Sequence, residues 1–264
     1  MKGGLTDART HSRRVAISEQ DYLRAQLREF RYRVDRALRV IGQARAHGRI
    51  AISFSGGKDS TVLLDLVRRV APDSVAGFWD SGAELQSTYD LVAHYGVEMV
   101  QPKMSFPEMC RYGGWWGHPN PVEKGKRFPY DKILIHEPSR RFCEKHQCSV
   151  VAVGLRADES GVREIRARQH GELDWIDRSE TWMLCPLTWW TTDDIWAYIA
   201  SRNLRYNAAY DQMAEMGVPR REQRISTLLD KTAATTGRFA VLKRLDPGLW
   251  NQLVIDFPNL RRFA

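Results

Sequence analysis

The chain has 264 residues, 43% of them hydrophobic, which is enough for a sizeable core and bounds it to one large α/β domain or one domain with appendages. No apolar run approaches the ~20 residues of a membrane span, and the opening Met1-Lys2-Gly3-Gly4 has no apolar secretory segment, so a cytoplasmic location and no membrane partner are expected. The net charge of +8 is an N-terminal property: residues 1–49 hold 12 Lys/Arg against 5 Asp/Glu, the remainder 28 against 27.

Residues 1–17 are polar and aperiodic, and are expected to be disordered or loosely attached. Residues 18–48 read as one basic amphipathic helix. Ser18 caps it with Asp21 three residues on, and Gly48 ends it. Leu23, Leu27, Phe30, Val34, Leu38 and Ile41 make one apolar stripe, with Arg24, Arg28, Arg31, Arg36 and Arg39 off it. The stripe packs on the domain or forms a homodimer seam. The arginines meet nucleic acid or another polyanion, or simply make a solvated face.

Residues 50–54 are an apolar, β-rich run, and 61–70 read as a helix with one apolar face. Between them stands Ser55-Gly56-Gly57-Lys58-Asp59-Ser60. A strand, a diglycine turn and a helix start form an anion site. The glycines let backbone approach a phosphate, and the first helical amides have no acceptor of their own. The stretch is not a Walker A loop: five residues before Gly57 is Ile52, inside the strand, and Lys58 precedes Asp59 rather than Ser or Thr.

A second strand at 74–79 ends in Asp80-Ser81-Gly82, a helix runs to about Tyr95, and a third strand covers 97–100. This βαβαβ order predicts a parallel sheet whose ligands lie at the carboxyl ends of the strands. Residues 102–130 hold five prolines and Gly113-Gly114-Trp115-Trp116-Gly117, an irregular loop whose tryptophans stack on a base, cover a pocket or pack inside. Residues 131–147 read as helical with a break near Pro138, and 149–153 as a buried strand. Gly154-Leu155-Arg156 follows at the same sheet edge as the glycine loop, with Glu159 and Arg163 close behind. This is a set of guanidinium groups able to stabilise charge on a phosphate, or a surface ion-pair cluster. Residues 164–182 read as an irregular excursion or hairpin, 183–187 as a short strand, and 191–199 as a helix capped by Thr191 or Thr192. Residues 211–264 form a helical C-terminal region anchored by Leu228, Leu229, Leu242, Leu249, Trp250 and Leu253.

The six residues 55–60 resemble the SGGxDS loop of the N-type ATP pyrophosphatases, the PP-loop superfamily. With Asp80-Ser81-Gly82, Thr88-Tyr89, the run from Gly154 to Arg163, and Pro186-Leu187 before Trp190-Thr191-Thr192-Asp193-Asp194-Ile195-Trp196, they are similar to the phosphoadenosine phosphosulfate (PAPS) reductase family. The resemblance implies a Rossmann-like adenine nucleotide α-hydrolase fold over residues 49–210, with a parallel sheet of about five strands and helical extensions on either side. It implies ATP in the loop, with Ser55, Gly56, Gly57, Lys58 and Ser60 around the phosphates and Asp59 placing Mg²⁺. It puts Asp80 and Gly154 in the nucleotide pocket, and Arg156, Glu159 and Arg163 at the α-phosphate.

One departure bears on chemistry. The sulfonucleotide reductases of that family attack sulfur with a cysteine on a C-terminal tail, and this sequence has none after Cys185. The paired cysteines of its cluster-binding branch are also missing. Cys143, His146 and Cys148 form C-x2-H-x-C, and Cys185 is the remaining partner for a metal or iron–sulfur cluster. The spacing matches no strong metal pattern, and reduced thiols, one of them reactive or none, are the default. The leading expectation is an ATP pyrophosphatase that adenylylates an acceptor, with sulfur incorporation into nucleic acid as one use. The alternatives are a sulfonucleotide (PAPS) reductase with an unusual nucleophile such as Cys143, and a non-catalytic nucleotide- or nucleic-acid-binding module.

Overall fold

The computed structural model describes residues 14–117, 129–225 and 237–263. Five parallel strands, β1 (Arg49–Ser53), β2 (Val75–Trp79), β3 (Glu98–Val100), β4 (Cys148–Ala152) and β6 (Thr181–Leu184), are joined by one antiparallel edge strand, β5 (Leu173–Ile176). The order is β3-β2-β1-β4-β6-β5. The chain builds outward from β1 in one direction, then returns to start β4 on the other side of β1. The crevice between the carboxyl ends of β1 and β4 is therefore the switch point at which such sheets bind ligands.

Alternation along the strands divides the core. Ile50, Ile52, Val150, Ala152 and Leu184 face one side, against α2 (Arg28–Arg45), α3 (Lys58–Val70) and α8 (Thr192–Ser201). Ala51 and Val151 face the other, against Phe142 and Cys143 of α6 (Glu137–His146). A π-helical turn, Lys132–His136, runs straight into α6, so Pro138, in its first turn, breaks nothing. Residues 164–182 are more ordered than an irregular excursion. Helix α7 (Gly161–His170) comes first, then β5 and β6 as a hairpin.

The N-terminal helix is two helices, α1 (Glu19–Arg24) and α2, with a turn at Ala25, Gln26 and Leu27 between them. The turn changes the phase of the apolar stripe. Phe30 and Ile41 are buried, whereas Leu23 and Leu27 are 63% and 51% exposed. Nor do all the off-stripe arginines face water: Arg24 bonds the fully buried Asp194, as does Arg33, and Arg36 bonds Glu172. Residues 14–17 are docked rather than loose. The Arg14 guanidinium donates to Asn203 and to the Leu204 carbonyl, and the Ala16 amide donates to Asp211. Residues 1–13 lie outside the described residues, as do Pro119 and Pro121 of the proline-rich loop and the anchors Leu228 and Leu229.

At the C-terminal side, α9 (Ala209–Glu215) crosses the expected boundary at residue 210, and α10 (Arg238–Leu245) and α11 (Pro247–Asp256) follow. Phe239 and Phe257 close edge-on around Trp116, which touches Trp115 and Phe106. The tryptophan pair is packing: Trp115 is buried and Trp116 half-buried in this aromatic cluster. Helix α5 (Phe106–Tyr112) leads into it from a capping box of Ser105 and Glu108. Helix α4 (Gln86–Tyr95) joins β2 to β3.

Candidate active site

The diglycine turn leaves β1 at the switch point and opens α3. Gly56 has φ +71°, and a Cβ there would stand 2.6 Å from Thr88 Cγ2, so this position needs glycine twice over. Gly57 is the N-cap of α3 and offers no side chain to its first amides. The Lys58 amide donates to the Tyr210 hydroxyl at 3.1 Å. The amides of Asp59 and Ser60 have no acceptor among the described residues. Ser60 Oγ donates to the Gly57 carbonyl and receives the Ser55 hydroxyl, which stiffens the turn.

Three charged side chains interlock behind the loop. Lys58 Nζ is 3.1 Å from Asp59 Oδ2, and Arg156 Nε is 2.6 Å from Asp59 Oδ1. Lys58 and Arg156 are both buried. Burial opposes the Asp59 charge, yet Lys58 and then Arg156 outweigh it and hold the carboxyl below its usual range. Arg156 is spent on protein: its remaining nitrogens donate to Asp158, the Trp190 carbonyl and Thr192. Four of its five N–H groups are thereby taken by protein acceptors. Gly154 permits this, since a Cβ there would sit 3.3 Å from the Asp59 backbone.

Glu159 accepts from the Arg156 amide and pairs with Arg163, whose side chain stays 37% exposed. Burial, then the positive charge of Arg224, lowers the Arg163 pKa. Sequence reasoning placed Ser55 to Ser60, Gly154, Arg156, Glu159 and Arg163 at one edge, and the fold brings them together there. It gave no role to Tyr210, Thr88, Asn207 or Gln223. Asn207 donates to Thr88, which backs Gly56, and the Gln223 carbonyl faces Lys58 Nζ at 3.5 Å. Thr88 stands within the Thr88-Tyr89 motif; Gln223 has no sequence signal.

Asp80 stands at the carboxyl end of β2, accepting from the Tyr89 hydroxyl and the Gly82 amide. Beside it, burial and then the Asp80 charge push Glu84 up to about 7, against a hydrogen bond from Ser81 that lowers it. A groove of ≈ 870 Å³ begins at Asp80 and runs along β3 past Gln101, Lys103 and Arg141.

For Mg²⁺ the test is the donor set. The ion commonly takes one or two carboxylates and draws its other ligands from phosphates and water. Asp59 has about four acceptor sites and spends two on Lys58 and Arg156, so it fits as one such carboxylate.

The cysteines do not fit a shared metal or cluster. Cys148 opens β4 at its amino end, whereas Cys185 lies one residue past the carboxyl end of β6, opposite Val153. Five strand residues, roughly 16 Å, separate those levels. His146 is turned to Glu98 at 2.8 Å, and no group of three metal-ligating side chains occurs among the described residues. Cys143 sits on the last turn of α6, at the sheet end away from the loop. Burial, with Cys148 adding to it, pushes its thiol up to about 12; burial puts Cys185 at about 11 and raises Cys148. These are buried core thiols, and Cys143 does not lie beside the diglycine loop.

A diglycine turn with unpartnered amides at the switch point of a mostly parallel sheet is the arrangement of a nucleotide-binding α/β protein. Residues 49–218 match the model of the phosphoadenosine phosphosulfate reductase domain, and the chain belongs to that family. It is 32% identical over 181 residues to adenosine 5′-phosphosulfate reductase 2 of Bacillus subtilis, covering 64% of this chain and 70% of that one. It is 30% identical over 179 residues to adenosine 5′-phosphosulfate reductase of Staphylococcus haemolyticus, covering 62% of this chain and 65% of the other. The crystal structure of PAPS reductase from Candida auris, a phosphate complex, superposes with a TM-score of 0.49 at 19% identity, over 69% of this chain and 84% of that one. Among the described residues no helix is long and apolar enough to cross a membrane.

Proposed function

We propose that this chain is an adenine-nucleotide enzyme that holds the β- and γ-phosphates of ATP in residues 55–60 and transfers the adenylyl group to an acceptor. The observation that carries this reading is the pair of unpartnered amides, Asp59 and Ser60, at the start of a helix behind a diglycine turn. An acceptor oxygen or other nucleophile bonds to the α-phosphorus. The bond from that phosphorus to the bridging oxygen breaks, pyrophosphate departs with the electron pair, and the acceptor proton passes to water. Mg²⁺, held by Asp59 and the phosphates, would supply charge neutralisation on the leaving group. The protein's own share is placement: Arg156 and Lys58 fix Asp59, Tyr210 fixes the first turn of α3, and Arg163 faces the negative charge that builds in the transition state.

The relatives' names favour a second reading, reduction of a sulfonucleotide. That reaction needs an accessible thiol, and all four cysteines here are buried. One paired assay tests both. Purified chain with ATP and Mg²⁺ should release pyrophosphate, slowly when water is the only acceptor, and Asp59→Asn should lower the rate at least tenfold. Sulfite release from adenosine 5′-phosphosulfate with thioredoxin, without pyrophosphate release from ATP, would overturn the adenylyl-transfer reading.

A further inference from the structure

The segment after α9 adds a second link between the N-terminal helices and the site. Arg220 donates to Asp21 of α1 and to the Ala16 carbonyl, and lies over the Trp196 ring. Three residues on, the Gln223 carbonyl faces Lys58 of the phosphate loop. Residues 220–224 thus form a strap from the N-terminal helices to the site. Arg220 and Gln223 serve the protein, but Arg221 and Arg224 between and beyond them are exposed and have no ion-pair partner among the described residues. Arg224 lies close enough to Arg163 to be felt electrostatically, and among the described residues no carboxylate pairs with Arg224.

The same pattern continues on the N-terminal helices. Arg24 and Arg33 hold α1 and the start of α2 on Asp194, in the first turn of α8, whose Thr192 touches Arg156. The α1–α2 junction therefore lies at the sheet edge of the site. On its outer side Arg28, Arg31 and Arg39 are exposed; Arg28 and Arg31 have no ion-pair partner among the described residues, and Arg39 acts on Glu172 only through its charge. At 100° per residue they share one helix face. Tyr22 and Tyr32 are interleaved with them, 48% and 57% exposed, and Arg39 lies over the Tyr32 ring.

We propose that this face and strap are the docking track for a single-stranded nucleic acid, which presents the acceptor group to the site. The proposal rests on the nucleotide reading above. Spaced guanidinium groups, four of the five without an ion-pair partner among the described residues, match a phosphate backbone, and exposed tyrosines among them match stacked bases. A second copy of the chain is a poor occupant, because a two-fold interface would set this positive face against itself.

The test uses the full chain and labelled 20-nucleotide single strands of DNA and of RNA, with anisotropy read from 50 to 200 mM salt. Binding should weaken as salt rises. Joint Arg28→Gln, Arg31→Gln and Arg221→Gln should weaken it at least about tenfold at 50 mM and reduce the log–log salt slope by about 2, from roughly 0.7 per phosphate contact on a single strand. The matching lysine variant should keep most of the affinity, which separates lost charge from lost folding. Absence of oligonucleotide binding at 50 mM, or equal binding by the glutamine variant, overturns the proposal. So does a dimer in sedimentation that the glutamine changes dissociate. ATP affinity is titrated on the same samples and should be unaffected by the three changes; failure of the wild-type chain to bind ATP would remove the nucleotide reading without touching the docking result.

Discussion

At the residue scale the site is a study in which charges are available. Arg156 looks like a phosphate ligand by its place in the motif, yet each of its guanidinium nitrogens is already bonded to protein. What the geometry shows is a guanidinium that holds Asp59 in place. The less buried Arg163 is the cation left facing outward. Glu84 supplies a pH test. Its raised pKa means that the folded state binds the proton more tightly than the unfolded chain. The stabilisation is therefore complete below about 4.5 and lost as pH rises through about 7. Glu84→Gln keeps the shape without the titration. Urea midpoints at pH 5 and pH 8 should show wild type losing about 2 kcal/mol more than the variant over that interval. Equal losses would mean that Glu84 is ionised in the folded protein throughout.

At the scale of elements, Asp194 fastens three helices. It accepts the Thr191 amide at the start of α8 and takes Arg24 from α1 and Arg33 from α2. Asp194→Ala should cost about 3 kcal/mol in denaturant unfolding, since it strands two guanidinium groups and uncaps a helix. A loss under 1 kcal/mol would show that the arginines simply turn to water. This anchoring explains why the N-terminal helices were only partly legible. Their apolar spacing is real, but the turn at Ala25 to Leu27 has no glycine or proline to announce it, and Asp194 lies about 170 residues away in sequence. Helix α7 was missed for the opposite reason. It buries only Ala167 and leaves Val162 and Ile165 exposed, so it has no apolar stripe to read. The strands were easier, because β1, β2 and β4 lie inside the sheet and are written as short continuous apolar runs.

At the scale of the whole molecule, topology decides what meets what. Starting β4 beside β1 puts Gly154 against Asp59, so two motifs almost a hundred residues apart become one charged cluster. The motifs were legible in the sequence, and their meeting at one sheet edge followed from the βαβ order. The cysteines show the limit of that reasoning. Cys143 and Cys148 are near neighbours in sequence and in space, but register sends Cys185 to the far end of the sheet, and spacing alone does not carry register. Gln223 and Tyr210 come to the loop from the C-terminal side, through contacts that no local pattern encodes.

The most direct measurement is calorimetric titration of ATP, and of adenosine 5′-phosphosulfate, into the chain and into its Gly56→Ala variant. The added methyl would meet Thr88 and force a side chain into a positive-φ conformation while leaving the rest of the sheet alone. Saturable binding by the wild type, weakened at least tenfold in a variant that still melts cooperatively, is the predicted result. Undiminished binding by that folded variant, or no binding of either nucleotide by the wild type, would contradict the assignment of residues 55–60 as the phosphate grip.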